Sequence, residues 1–224
     1  LQHDYQVAWL DLLNKPHALL SVANHCDNAE PRHPSLSIQL PRLPLRLVYP
    51  WNIKIFNQYY FRRALLSPSV QPLNQFNNPL DSIKQWANCY GKKGFLQFQA
   101  VFDEKNALTS FHELIKIMTQ FNATPTLAVL KYFTQSGAGL LSFTQPGFTV
   151  AIDFINNPQT RAAIMAMNAY ISKINGKIYL AKDRLLTREQ FRQQYPNHQQ
   201  LSDIIAQTSP LFASDLGRRL GLVL

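Results

Sequence analysis

The sequence predicts an α+β fold, a largely antiparallel sheet covered by helices on one face. Three observations predict it. Residues 94–102, 126–133 and 147–155 alternate with a period of two, the repeat of a strand. Two other segments place apolar residues at helical spacing: Leu108, Phe111, Ile115 and Met118 in one, Ile164, Met167, Ile171 and Ile174 in the other. From residue 81 onward the predicted order is α-β-α-β-β-α-β-α, in which directly joined strands favour antiparallel pairing.

The elements follow in order. Tyr5, Val7 and Trp9 alternate with Asp4, Gln6 and Ala8, a first strand. From Lys15 to Pro50, prolines at 31, 34, 41, 44 and 50 exclude a long helix, so an irregular excursion is expected over 15–50. Its apolar residues (Leu36, Ile38, Leu40, Leu43, Leu45, Leu47) still need apolar contact. Residues 51–80 are aromatic and asparagine-rich, with little signal beyond Ile53–Phe61. Asp81 reads as the cap of a helix running to Tyr90, with Gly91 as its stop. A strand over 94–102 and a helix from Glu104 to about Phe121 come next. A strand over 126–133, a loop at 134–141 and a strand over 147–155 follow. Asn157-Pro158 opens a helix that Gly176 stops, and a strand is predicted at 177–180. Thr187-Arg188-Glu189-Gln190 starts another helix, and helical segments continue toward Leu224.

Composition narrows the function. The chain has 224 residues, 46% of them hydrophobic and 16% charged, as a folded globular protein has. The formal net charge of +9 suits an anionic partner such as a phosphate, a nucleic acid or an acidic membrane surface, or equally a basic surface that aids solubility. Lysines and arginines are scattered, with doublets only at 62–63, 92–93 and 218–219, so no nucleic acid partner is expected. Cys26 and Cys89 read as free thiols. His17, His25, Cys26 and His33 match no metal-ligand spacing, and His112 falls on a predicted helix, so no metal is expected. Neither Gly-x-Gly-x-x-Gly nor Gly-x-x-x-x-Gly-Lys-Ser/Thr occurs, so a complete phosphate-cradling domain is not expected. The chain begins at Leu1 rather than Met and reads as a piece of a longer protein.

The strand faces carry the functional signal. Leu96, Phe98, Ala100 and Phe102 form an apolar face, opposed by Phe95, Gln97, Gln99 and Val101. Leu127, Val129, Lys131 and Phe133 share a face, and Thr149, Ala151 and Asp153 oppose Phe148, Val150, Ile152 and Phe154. Two readings stand: an ordinary solvated sheet surface, or a ligand-lined face with few polar groups among bulky ones. Glutamine amides suit sugar hydroxyls because they both donate and accept. Lys182 follows a short apolar strand, as either an exposed lysine or a charge at the mouth of a site.

Several motifs point further. They are the strand Phe95-Leu96-Gln97-Phe98-Gln99, the strand around Lys131 and Phe133, and Leu141-Ser142-Phe143-Thr144-Gln145-Pro146-Gly147-Phe148. Tyr179-Leu180-Ala181-Lys182-Asp183, Gln194-Tyr195-Pro196 and Ser214-Asp215-Leu216-Gly217-Arg218-Arg219-Leu220 follow in that order. With Asp4–Trp9, Asn77–Asp81 and Trp86, this series resembles the C-terminal half of the decaprenylphosphoryl-β-D-ribose oxidase family, the flavin subunits of a 2′-epimerase. More distantly it resembles D-arabinono-1,4-lactone oxidases. The likeness covers roughly residues 4–14 and 73–222.

The resemblance implies a vanillyl-alcohol-oxidase-type flavoprotein whose FAD domain is mostly absent from this chain. Residues 1–176 would be the substrate domain, and 177–224 a segment that returns to the FAD domain. Lys182 would be catalytic, supplying charge near the flavin and orienting the substrate hydroxyl, with Tyr179 and Ala181 beside the cofactor. Gln97, Gln99, Lys131, Phe133, Thr149, Ala151 and Trp9 would bind substrate. Where some members carry Asn-x-Cys, this chain has Thr149-Val150-Ala151. The implied activity is oxidation of a sugar hydroxyl on a polyprenyl-phosphate-linked pentose, in the cytoplasm or at the membrane surface, with a reductase partner subunit. An aldonolactone or alditol oxidase and a flavin-free binding domain are the alternatives.

Overall fold

The computed structural model describes residues 3–14, 17–27, 38–42, 44–64, 70–77, 83–208 and 213–223. It is mixed helix and sheet. The strands are β1 (Tyr5–Asp11), β2 (His17–Ala23), β5 (Phe95–Phe102), β6 (Pro125–Phe133), β7 (Gly147–Ile155) and β8 (Lys177–Ile178), in the antiparallel order β2-β1-β6-β7-β5-β8. The helices are α1 (Pro50–Ala64), α2 (Leu73–Asn77), α3 (Ala107–Gln120), α4 (Pro158–Lys173), α5 (Arg188–Gln194), α6 (His198–Thr208) and α7 (Asp215–Leu220). Two compact units result, and β5, β6 and β7 contribute residues to both.

The first unit holds 1–96, 124–131 and 152–157. Here β1 and β2 form a hairpin in register from Tyr5 opposite Ala23 to Asp11 opposite His17. Asp11 fixes its turn: the carboxylate accepts from the Leu13 amide at 3.0 Å and the Asn14 side chain at 2.6 Å. The irregular excursion expected over 15–50 is corrected at 17–23. That segment alternates half-buried and exposed positions, and its apolar residues pair with β1 in the proline-free interval between Pro16 and Pro31. Residues 50–64 form a full helix where the sequence carries only a weak signal over 53–61. Apolar residues lie on two sides of it, so its period is blurred. The helix expected over 81–90 is also corrected. Ile83–Lys84 is a short strand, β4, parallel to β3 (Ile38–Gln39), and a 3-10 turn spans Trp86–Tyr90. Its capping residue Asp81, with His33, Leu36 and Leu43, lies outside the described residues.

The second unit holds 97–123, 132–151 and 158–224, and so includes the segment expected to return to a flavin domain. Within it, β8 pairs with β5, Ala100 opposite Ile178 and Val101 opposite Lys177. Phe98, Ala100 and Phe102 are buried, as the alternation predicts. β7 starts and ends where the pattern puts it, but it is buried on both faces: Thr149 and Asp153 are each 3% exposed, so this stripe is not an open surface. α4 buries Ile164, Met167 and Ile171, and Asn175, at φ 56, ends the segment just before Gly176. α3 is turned about its axis from the expected face. Ser110, Leu114, Ile117 and Met118 are buried while Leu108 is exposed. The small Ser110 lets α4 approach closely, with the Tyr170 hydroxyl 3.4 Å from its oxygen. α5 opens on the predicted capping box, in which Thr187 and Gln190 cap each other's amides.

Candidate active site at the Lys182 turn

The site is built on the second unit. After β8 the chain makes a single 3-10 turn, Leu180–Lys182, closed by the Lys182 amide donating to the Tyr179 carbonyl at 2.8 Å. The Tyr179 amide donates to the Gln99 carbonyl at 2.9 Å, which ties this turn to β5. The Lys182 ammonium donates to Oε1 of Gln97. Two residues 85 positions apart, read separately from two motifs, therefore meet. A lysine ammonium has three donors, and this bond uses one of them. Lys182 and Gln97 are half-buried and Tyr179 is exposed, so the ammonium lies near the surface.

An aromatic wall stands beside it. The Tyr179 ring lies 4.9 Å from Phe143, and Phe143 meets Phe133 edge-on at 6.0 Å. Phe143 is 9% exposed and links two predicted residues; the motif contains it, but its sequence pattern gives it no role.

The remaining motif residues brace the turn. The Ile178 amide donates to Oε1 of Gln194 at 2.8 Å, and the Ile178 carbonyl accepts from the Tyr195 hydroxyl at 2.6 Å. Both backbone groups of the last β8 residue are thus satisfied from α5 and its end. Gln194 is itself held by Ser172 of α4 at 2.8 Å. Burial pushes the Tyr195 phenol well above its ordinary value, with Asp183 and Tyr179 adding to the rise. Immediately after Lys182, the buried Asp183 carboxylate accepts from Arg219 of α7 at 2.7 Å. Burial raises the Asp183 carboxyl, and the Arg219 guanidinium opposes the rise without cancelling it. A second lysine, Lys177, donates to the Ser142 carbonyl at 3.2 Å and lies 5.7 Å from the Tyr195 ring; burial lowers its ammonium. Gln194, Tyr195, Asp183 and Arg219 are positioning residues that the motifs contained and the sequence could not connect.

The other predicted residues fall as follows. The side chain of Gln99 is half-buried on β5, beside its tied carbonyl. Thr149 is buried, and its hydroxyl has no hydrogen-bond partner among the described residues; Ala151 is half-buried and Ala181 exposed. Lys131 and Trp9 belong to the first unit. Lys131 is half-buried on β6, and Trp9 is buried against the rings of Tyr60 at 5.0 Å and His17 at 6.4 Å. Among the described residues no group of His, Cys, Asp and Glu has the makings of a metal site.

What the turn offers chemically is a donor-rich cation with one donor engaged, an amide acceptor that aims it, and a flat aromatic flank. The chain resembles a decaprenylphosphoryl-β-D-ribose oxidase. It is 28% identical over 240 residues to that protein of Mycolicibacterium smegmatis (strain ATCC 700084 / mc(2)155), covering 99% of this chain and 52% of the relative. The chain therefore spans about half the length of the curated relative it matches. No family model matches it. The match extends over nearly the whole chain, beyond the residues that carry the motifs.

Proposed function

We propose that this chain is the substrate domain and returning C-terminal segment of an FAD-dependent oxidoreductase. Its substrate is a sugar hydroxyl, on a polyprenyl-phosphate-linked pentose. The observation that carries the reading is the Lys182–Gln97 contact beside the Tyr179–Phe143–Phe133 wall, in a chain similar along 99% of its length to a named sugar oxidase.

The residues present fit one edge of a flavin. The half-buried Lys182 supplies the positive charge that an anionic reduced ring needs, and Tyr179 supplies an exposed ring face. They do not fit its phosphates, since the sequence has no glycine-rich cradle. When bound, FAD supplies a two-electron acceptor for the hydride of the carbinol carbon. Lys182 orients the hydroxyl oxygen through a donor not committed to Gln97. Gln97 holds the ammonium in place, and Gln99 binds neighbouring hydroxyls. Phe133, Phe143 and Tyr179 exclude water from one side.

The test is stopped-flow reduction of the flavin in the full-length protein by a polyprenylphosphoryl pentose. Lys182→Ala removes a preorganised charge worth about 2–4 kcal/mol in the transition state, so the reduction rate should fall roughly 30- to 1000-fold. Gln99→Ala should raise KM and leave the rate nearly intact, because its contact is the same in ground and transition states. A full-length protein that carries no flavin refutes the reading, and an unchanged reduction rate in Lys182→Ala removes Lys182 from the site.

A further inference from the structure

Helix α1 of the first unit is apolar on two sides. One side packs inward: Ile53 and Asn57 are 7% and 5% exposed, and the Asn57 amide donates to Asp11 at 2.9 Å. The opposite side repeats the helical spacing with Trp51, Ile55 and Tyr59, which are 65%, 60% and 58% exposed. Phe56 beside them is 55% exposed. An outward stripe of this kind has no role in folding the unit and calls for an apolar medium.

Charge identifies the medium. Residues 31–80 contain Arg32, Arg42, Arg46, Lys54, Arg62 and Arg63 and no aspartate or glutamate. Arg62 and Arg63 close α1, and Arg63 donates to the Tyr59 hydroxyl at 3.1 Å, so cation and aromatic ring share one edge of the stripe. Tryptophan and tyrosine with arginine are the residues of a membrane–water boundary, where the ring sits at headgroup depth and the cation meets lipid phosphate. A helix of 15 residues is about 22 Å long, too short to cross a bilayer. Among the described residues no helix is long and apolar enough to do so. A second copy of the chain would bring like charge onto like charge.

We infer that α1 is an interfacial anchor that lays the Trp51–Ile55–Tyr59 stripe on an anionic lipid surface, held by Lys54, Arg62 and Arg63. The inference does not rest on the oxidase reading, and its test uses neither flavin nor sugar. The full-length protein is mixed with phosphatidylcholine vesicles with and without phosphatidylglycerol. Flotation and tryptophan fluorescence are followed.

Binding should require phosphatidylglycerol and fall steeply as salt rises from about 0.1 M to 1 M, where screening shortens to about 3 Å. The emission should shift to the blue on binding, and Trp51→Phe should remove the shift while keeping the binding. Each basic residue near an anionic surface contributes about fivefold, so Arg62→Ala with Arg63→Ala should weaken binding roughly 30-fold. Trp51→Ala with Ile55→Ala should weaken it at least about tenfold through lost apolar contact. All these side chains are exposed, so the variants should keep the wild-type circular dichroism. No binding to anionic vesicles, or binding that both double variants leave unchanged, overturns the inference. So does a Trp51 already shielded from acrylamide in the free protein, because another part of the protein would then cover this face.

Discussion

Gly147→Ala should be the most damaging glycine substitution in this chain, for a reason that can be worked from the backbone. Gly147 opens β7 at φ 139, in the region that favours glycine. A Cβ there would lie 2.2 Å from the carbonyl oxygen of Phe102 and 3.0 Å from its carbon. Contacts of this kind are essentially never shorter than 3.0 Å, so β7 or the end of β5 must move by about 0.8 Å. Neither can do so freely, since Phe102 is 1% exposed and Val150 is fully buried. Backbone strain contributes about 1–3 kcal/mol and the overpacking about 1–3, a loss of about 2–6 kcal/mol together. For a chain of this size that is a drop in Tm of roughly 4–24 °C. Two companions separate the causes. At Gly94, φ is 64 and a Cβ meets nothing within 4 Å, so Gly94→Ala should cost only about 1–2 kcal/mol of strain. Gly139 has open space and no such φ, so Gly139→Ala should be neutral or gain about 0.4–1 kcal/mol. Thermal and urea unfolding followed by circular dichroism rank the three. If Gly147→Ala is no worse than Gly94→Ala, the close approach to Phe102 is wrong.

Two further predictions concern charge. Arg219→Met should cost about 2 kcal/mol near neutral pH, below the value for a deeply buried pair because the Arg219 side chain is 37% exposed. The Asp183 carboxyl is raised, so its protonated form suits the fold: the variant's loss should shrink on acidification, and Asp183→Asn in the same chain should recover part of it. A loss that does not change with pH would mean that Arg219 acts through packing and its hydrogen bond to the Leu186 carbonyl at 2.9 Å rather than through Asp183. Asp11 behaves in the opposite sense. Burial pushes its carboxyl up, but hydrogen bonds from Asn14, Leu13 and Asn57 outweigh burial and hold it below 3.8. Its contribution is therefore present above about pH 4 and lost as pH falls through the lowered value. Asp11→Asn should cost about 1–2 kcal/mol at neutral pH, with the gap to wild type closing in acid. Urea midpoints measured across pH check this, and a gap that widens in acid would contradict it.

The parts of this fold that were legible are those whose signal is local and single. The bounds of β7 follow from strict alternation between Gly147 and Ile155, and α5 follows from Thr187 and Gln190 three residues apart. Where two signals overlap, the reading fails. β2 was absorbed into a proline-rich average although its own seven residues contain no proline. α1 shows apolar residues on its packed and its exposed side, so its period does not name one face. The face assigned to α3 was wrong because Ser110, chosen for its small size against Tyr170, is polar, and the pattern looks only for apolar residues.

The site shows a different limit. Each motif was visible as a string, and none disclosed its partner, because the partners are far apart in sequence. Gln97 reaches Lys182 across 85 positions, Gln194 reaches Ile178 across 16, and Arg219 reaches Asp183 across 36. In space these contacts share a purpose. Gln194 and Tyr195 fix both backbone groups of Ile178, Gln99 fixes the amide of Tyr179, and Arg219 fixes the side chain that follows Lys182. A lysine on a single 3-10 turn would otherwise range over many rotamers, at a cost of about 2 kcal/mol to hold. With the residues on either side of it fixed, and Gln97 accepting from its ammonium, most of that ordering is completed during folding. The motifs around Gln97, Tyr179–Asp183, Gln194–Tyr195 and Arg219 thus act together to hold one cation still.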